Sequence, residues 1–212
     1  MFETFTMALD WLGVVAFATT GALVASRKQM DIVGFILLGV VTGFGGGTLR
    51  DVLLGAPVFW VTKPAYLIAC VLVSGIVFFT AHIPQSRYRF LLWLDAIGLA
   101  LFAVTGAEKA WHAGADGIVA VAMGVITATF GGIIRDLLGG ESPVILSREI
   151  YASAALAGAV IFTSLLALGA PRELALGTGF AAGLLVRAAA LHYGWSLPRY
   201  RQRPGRPHAG PR

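Results

Sequence analysis

Seven apolar runs, each close to the length of a membrane-crossing helix, divide the chain: residues 7–25, 32–54, 64–81, 90–110, 117–138, 149–168 and 174–193. About 20 apolar residues let an α-helix cross the hydrocarbon of a bilayer. Polar or helix-breaking clusters separate the runs. Ser26, Arg27, Lys28 and Gln29 close the first, and Gly55, Ala56 and Pro57 stop the second. Pro64 opens the third, a residue suited to a first helical turn. A polar loop at 82–89, the segment 108–116 and a turn at 169–173 punctuate the rest. The pattern predicts an all-α integral membrane protein with seven transmembrane helices. Residues 196–212, rich in Arg, Pro and Gly, are expected to form a disordered basic cytoplasmic tail. Glu3 and Asp10 stand where a cleavable signal would be basic, so the first run is expected to be a retained span.

The runs repeat. When the chain is slid by 85 positions, Asp10 falls on Asp95, Phe17 on Phe102, and Thr20, Gly21 and Ala22 on Thr105, Gly106 and Ala107. Asp31 then falls on Asp116, Thr42 on Thr127, Gly46 and Gly47 on Gly131 and Gly132, Arg50 and Asp51 on Arg135 and Asp136, and Tyr66 on Tyr151. No gap is needed. Each copy holds three runs, an odd number, so the second must enter the membrane from the opposite side. This predicts an inverted 3+3 repeat plus a seventh helix. The domain plan is one membrane domain over 1–195, with repeat one at about 7–81, repeat two at about 90–168 and the seventh helix at about 174–193.

Composition agrees. Hydrophobic residues make up 57% of the chain and charged ones 13%, against about 25% charged in soluble domains. The net charge of +5 falls in loops and tail, which reads as the positive-inside bias rather than a nucleic-acid surface. With a cytoplasmic C-terminus, Arg27, Lys28, Arg87, Arg89, Arg148 and the tail arginines lie inside, while Lys63, Lys109 and Arg172 lie outside. The N-terminus is therefore expected outside. Cys70 is the single cysteine, so no disulfide framework and no cysteine metal site are expected.

Candidate chemistry concentrates where cost concentrates. Gly45, Gly46, Gly47, Arg50 and Asp51 in the second run, and Gly131, Gly132, Arg135 and Asp136 in the fifth, place glycines and paired charges inside apolar segments. Glycine weakens a helix by about 1 kcal/mol, and a charge at the bilayer centre costs roughly 2.5–3.5 kcal/mol on insertion scales. Paired, glycine-interrupted helices point to a transport path, where a broken helix frees carbonyls for a cation or amides for an anion. Small residues also serve close helix packing. Arg50 and Arg135 would gate the path, anchor an ion or carboxylate, or snorkel onto an aspartate or carbonyl. Each aspartate points away from the arginine beside it, as i,i+1 neighbours do, and would cap a helix or pair across the repeat. Asp10 and Asp95 open the first and fourth runs, where the helix dipole favours a carboxylate. Thr42 and Thr127 offer hydroxyls to an ion or bond back to their own helix. Thr20 and Thr105 suggest kinks or close contacts, and Arg187 is expected to snorkel to the cytoplasmic interface. No enzyme signature, phosphate loop or metal spacing is present in the sequence.

Taken together, the spans, the inverted repeat, the extra helix and the duplicated Gly-Gly-x-x-Arg-Asp unit resemble the prokaryotic TRIC family, the trimeric intracellular cation channels, whose bacterial relatives also carry a glycine-transporter label. The resemblance covers about residues 9–193. It implies a homotrimer in the bacterial inner membrane with one pore per subunit, conducting monovalent cations, chiefly K+, without a cofactor and with metal bound only in transit. Membrane lipid is the other implied partner, and no nucleic acid. Position by position it assigns pore or gate roles to Gly45, Gly46, Gly47, Arg50, Gly131, Gly132 and Arg135. Phe130 stands where the first copy has Gly45, so the two gates need not be equivalent. Arginines beside a path favour anions unless Asp51 and Asp136 neutralise them. A secondary transporter for glycine or another small amino acid is therefore the alternative.

Overall fold

A computed structural model describes residues 2–84, 86–147 and 149–198, with side chains from residue 7 onward. Among these residues there are eight α-helices: α1 (Phe2–Arg27), α2 (Ile32–Leu53), α3 (Phe59–Thr62), α4 (Ala65–Thr80), α5 (Arg87–His112), α6 (Gly117–Leu138), α7 (Ala152–Ala167) and α8 (Arg172–Tyr193). Five of them, α1, α2, α5, α6 and α8, are long and apolar enough to cross a bilayer. Helices α4 and α7 have 16 residues each, and each follows a short helical segment, α3 or the 3-10 turn Val144–Leu146. The protein is a helical membrane protein. Of the expected basic tail, residues 199–212 lie outside the described residues.

Local chemistry sets the helix ends. Asp31 and Asp116 cap α2 and α6, accepting hydrogen bonds from Gly34 N at 2.8 Å and Ile118 N at 3.0 Å. In both turns before these caps the backbone takes a positive φ, 54° at Gln29 and 82° at Gly114. Helices α1 and α5 extend beyond their predicted starts, to Phe2 and Arg87. Asp10 and Asp95 are therefore interior to their helices, not at the N-termini where the dipole acts.

The 85-residue offset reappears in hydrogen bonds. Ala56 N donates to Asp51 O at 2.9 Å, and Glu141 N to Asp136 O at 2.8 Å. Phe59 N donates to Asp51 Oδ2 at 2.9 Å, and Val144 N to Asp136 Oδ2 at 3.0 Å. Contacts between the copies are reciprocal. Phe17 and Phe102 meet edge to face, their centroids 5.1 Å apart, with Gly13 against Phe102 and Gly98 against Phe17. Helix α5, flanked by α1, α6, α7 and α8, is the most enclosed element.

Candidate functional site

Helices α2 and α6 pack at their glycines. A Cβ added to Gly46 would collide with the Thr127 carbonyl oxygen, and one added to Gly131 with the Thr42 carbonyl oxygen. Only a residue without a side chain permits this approach. Both helices are assigned without a break, Ile32–Leu53 and Gly117–Leu138. The interruption expected at the glycines is thus absent, and no half-helix terminus opens there. Thr42 and Thr127 use their hydroxyls within their own helices, donating to Leu38 O at 2.5 Å and Met123 O at 2.6 Å.

One turn beyond the glycines sit two buried charge clusters. In the first, Arg50 Nε donates to Asp51 Oδ1 at 2.8 Å, and Lys109 Nζ reaches the same oxygen at 2.7 Å. Asp10 is within electrostatic range of Arg50 and Lys109, and the buried Thr105 hydroxyl has no hydrogen-bond partner among the described residues. In the second, Arg135 Nε donates to Asp136 Oδ1 at 2.9 Å, and its Nη1 to Asp95 Oδ1 at 2.5 Å and Thr20 Oγ1 at 3.1 Å. Arg50, Asp51, Asp95, Arg135 and Asp136 are all buried. The Arg–Asp pairs match under the 85-residue offset, and in the second cluster Arg135 also bonds to Thr20 of the other copy.

Three expectations change. Each arginine does pair with the aspartate next to it, because the long guanidinium side chain turns toward its neighbour although the two Cβ atoms diverge. Among the described residues no arginine pairs with an aspartate of the other copy: the partner Asp95 lies in the same copy as Arg135. Arg187 does not snorkel. It is 1% exposed, its Nη2 2.7 Å from Glu149 Oε2 and its Nη1 3.1 Å from Ile150 O, and its guanidinium sits 5.2 Å from the centre of the Tyr151 ring.

Some contributors were not recognised in the sequence. Lys109 counted only as a loop charge. Glu108, 2% exposed, pairs with Arg172 at the start of α8. Tyr66 stacks on Trp11 with centroids 4.3 Å apart, and Tyr151 reaches the second cluster. The match of Tyr66 with Tyr151 under the repeat was the available signal.

Fold and site together define a helical membrane protein built around two related, buried arginine–carboxylate clusters. The glycine transporter family profile matches twice, at residues 7–82 and 92–167, again 85 positions apart. The chain is 42% identical over 195 residues to the inner membrane protein YadS of Escherichia coli (strain K12), covering 91% of this chain and 94% of that one. It superposes on the trimeric intracellular cation channel orthologue from Rhodobacter sphaeroides with a TM-score of 0.89 at 68% identity, covering 91% of this chain and all (100%) of the other. A prokaryotic TRIC channel crystallised in 0.5 M KCl gives a TM-score of 0.86 at 32% identity, covering 92% of this chain and 100% of that one. The chain belongs to the prokaryotic TRIC family.

Proposed function

We propose that the protein is a monovalent-cation channel, chiefly for K+, assembled as a homotrimer with one path per subunit along the α2–α6 crossing. The observation that carries this reading is that the arginines of both clusters are already neutralised by carboxylates, Arg50 by Asp51 and Arg135 by Asp95 and Asp136. An arginine meant to hold an amino-acid carboxylate would keep its guanidinium available. A cation path needs the opposite, and the likeness to solved cation channels supports it. Gly45, Gly46, Gly47, Gly131 and Gly132 would bring the two helices together, and the clusters would set the electrostatics of the path. Thr42, Thr127, Asp10 and Asp95 flank it.

We read the seven longer helices as spans arranged as an inverted 3+3 repeat, with α8 outside it. The reciprocal Gly–Phe and Gly–Thr contacts support a two-fold relation between the copies. One membrane domain covers residues 1–195, in the inner membrane, with the N-terminus outside and the C-terminal tail cytoplasmic.

Purified protein in a planar bilayer under a KCl gradient tests the function. The expected result is unitary current whose reversal potential follows the K+ gradient. Saturable uptake of labelled glycine into proteoliposomes, with no unitary current, would establish the carrier instead.

A further inference from the structure

The two clusters match residue for residue but not in charge. Around the first, Asp51 pairs with both Arg50 and Lys109, and Asp10 lies within electrostatic range of the same two cations. Around the second, Asp95 and Asp136 pair with Arg135, the one cation paired with either among the described residues. The position equivalent to Lys109 is Val24, which carries no charge. Other charges near either cluster are paired elsewhere: Glu108 with Arg172, and Arg187 with Glu149. Among the described residues the second cluster therefore holds one carboxylate more than it has cations, in a place where unpaired charge is costly.

A second observation points to the same spot. Tyr151 is 2% exposed and its hydroxyl has no hydrogen-bond partner among the described residues. That hydroxyl is aimed at the cluster. A Cβ built on Gly132 would lie 2.7 Å from Tyr151 Oη, 3.6 Å from Arg135 Nη2 and 3.8 Å from Asp95 Oδ1, so these three groups converge on one point. Gly132 thus leaves room for a neutral oxygen beside a carboxylate that carries uncompensated charge. A carboxylate plus a neutral hydroxyl is a hard oxygen donor set, suited to a small cation.

We propose that the Asp95–Asp136–Tyr151 cluster binds one monovalent alkali cation, and that the Lys109 ammonium is the built-in counterpart of that ion at the first cluster. This deepens the channel reading and rests on it for the choice of ion, but binding is measured without conduction. The site would be a place where a permeating cation dwells. The first cluster, already balanced, would not hold one.

The test is equilibrium binding of Tl+, a K+ surrogate, to purified protein in lipid nanodiscs, against empty nanodiscs, with K+ as competitor and N-methyl-D-glucamine maintaining ionic strength. The wild type is expected to bind Tl+ saturably at one site per subunit, displaced by K+. Asp95→Asn removes the excess charge and is expected to abolish that binding. Lys109→Met unbalances the first cluster and is expected to double the bound Tl+. Tyr151→Phe, which keeps both carboxylates, is expected to weaken Tl+ binding several-fold. Absence of saturable Tl+ binding to the wild type overturns the proposal, as does full binding by Asp95→Asn. Should Asp95→Asn fail to fold, Lys109→Met decides alone, and unchanged stoichiometry overturns the charge argument. Tl+ binding in a protein silent in bilayers would leave the site standing and remove the channel. Current without Tl+ binding would do the reverse.

Discussion

Arg135 and Arg50 occupy equivalent positions but have different support. Arg135, 1% exposed, is the one cation paired with the two buried carboxylates Asp95 and Asp136 among the described residues. Arg50 shares Asp51 with Lys109, whose side chain is 37% exposed. Removing one partner of a buried ion pair costs about 3–5 kcal/mol, because the other charge is left unpaired in low dielectric. Arg135→Gln should therefore destabilise by about that much. Arg50→Gln should cost less, since Lys109 stays on Asp51. Unfolding in detergent, followed by tryptophan fluorescence, checks the order; equal losses would mean that Lys109 contributes nothing. The sequence reading found these arginines through their cost in an apolar run. It missed their partners because side-chain reach is not visible in spacing: Asp95 and Arg135 are 40 positions apart, and Thr20 and Arg135 are 115 apart.

Helices α2 and α6 were legible as elements because an apolar run of spanning length marks each one. What the glycines do in them was not legible. A run of glycine predicts a weak helix in isolation, yet in a bilayer the backbone must keep its hydrogen bonds, and the helix persists. The missing side chains are used sideways, for approach between helices. Gly46→Ala would place a methyl against the Thr127 carbonyl, where neither backbone has a flexible end to give way. Overpacking of this kind costs about 1–3 kcal/mol, occasionally more. Gly131→Ala, against the Thr42 carbonyl, should behave alike. Gly75→Ala in α4 meets nothing within 4 Å and should be neutral or stabilising by up to about 1 kcal/mol. Thermal unfolding of the three variants separates close packing from a general dislike of substitution. Helix limits were read less well. The starts of α1 and α5 carry residues such as Glu3 and Arg87 that look like loop, so the runs seemed to begin at Met7 and Phe90, and Asp10 and Asp95 were taken for terminal residues.

At the scale of the whole molecule the duplication was plain, because rare residues such as Asp, Arg and Tyr recur at one offset without a gap. Orientation rests on a different quantity, the balance of basic residues between loops. The structure sharpens that balance. Of the three basic residues assigned outside, Lys109 is tied to Asp51 and Arg172 to Glu108, which leaves Lys63 as the exposed charge of that set. On the other side Arg27 and Lys28 share Glu141, and the tail adds further arginines. The proposed inversion then makes a demand that a parallel duplication does not. The turns containing Gln29 and Ala113 have the same local hydrogen bonding, Met30 N to Ala25 O and Ala115 N to Ala110 O, both 3.1 Å. Yet they should face opposite compartments. Cys70 is buried, so the native chain supplies little thiol background. In intact cells, Ala113→Cys should react with a membrane-impermeant maleimide, while Gln29→Cys should react only after the membrane is permeabilised. Equal labelling of both from outside would mean that the copies enter from one face, and a path formed by two reversed helices would lose its basis.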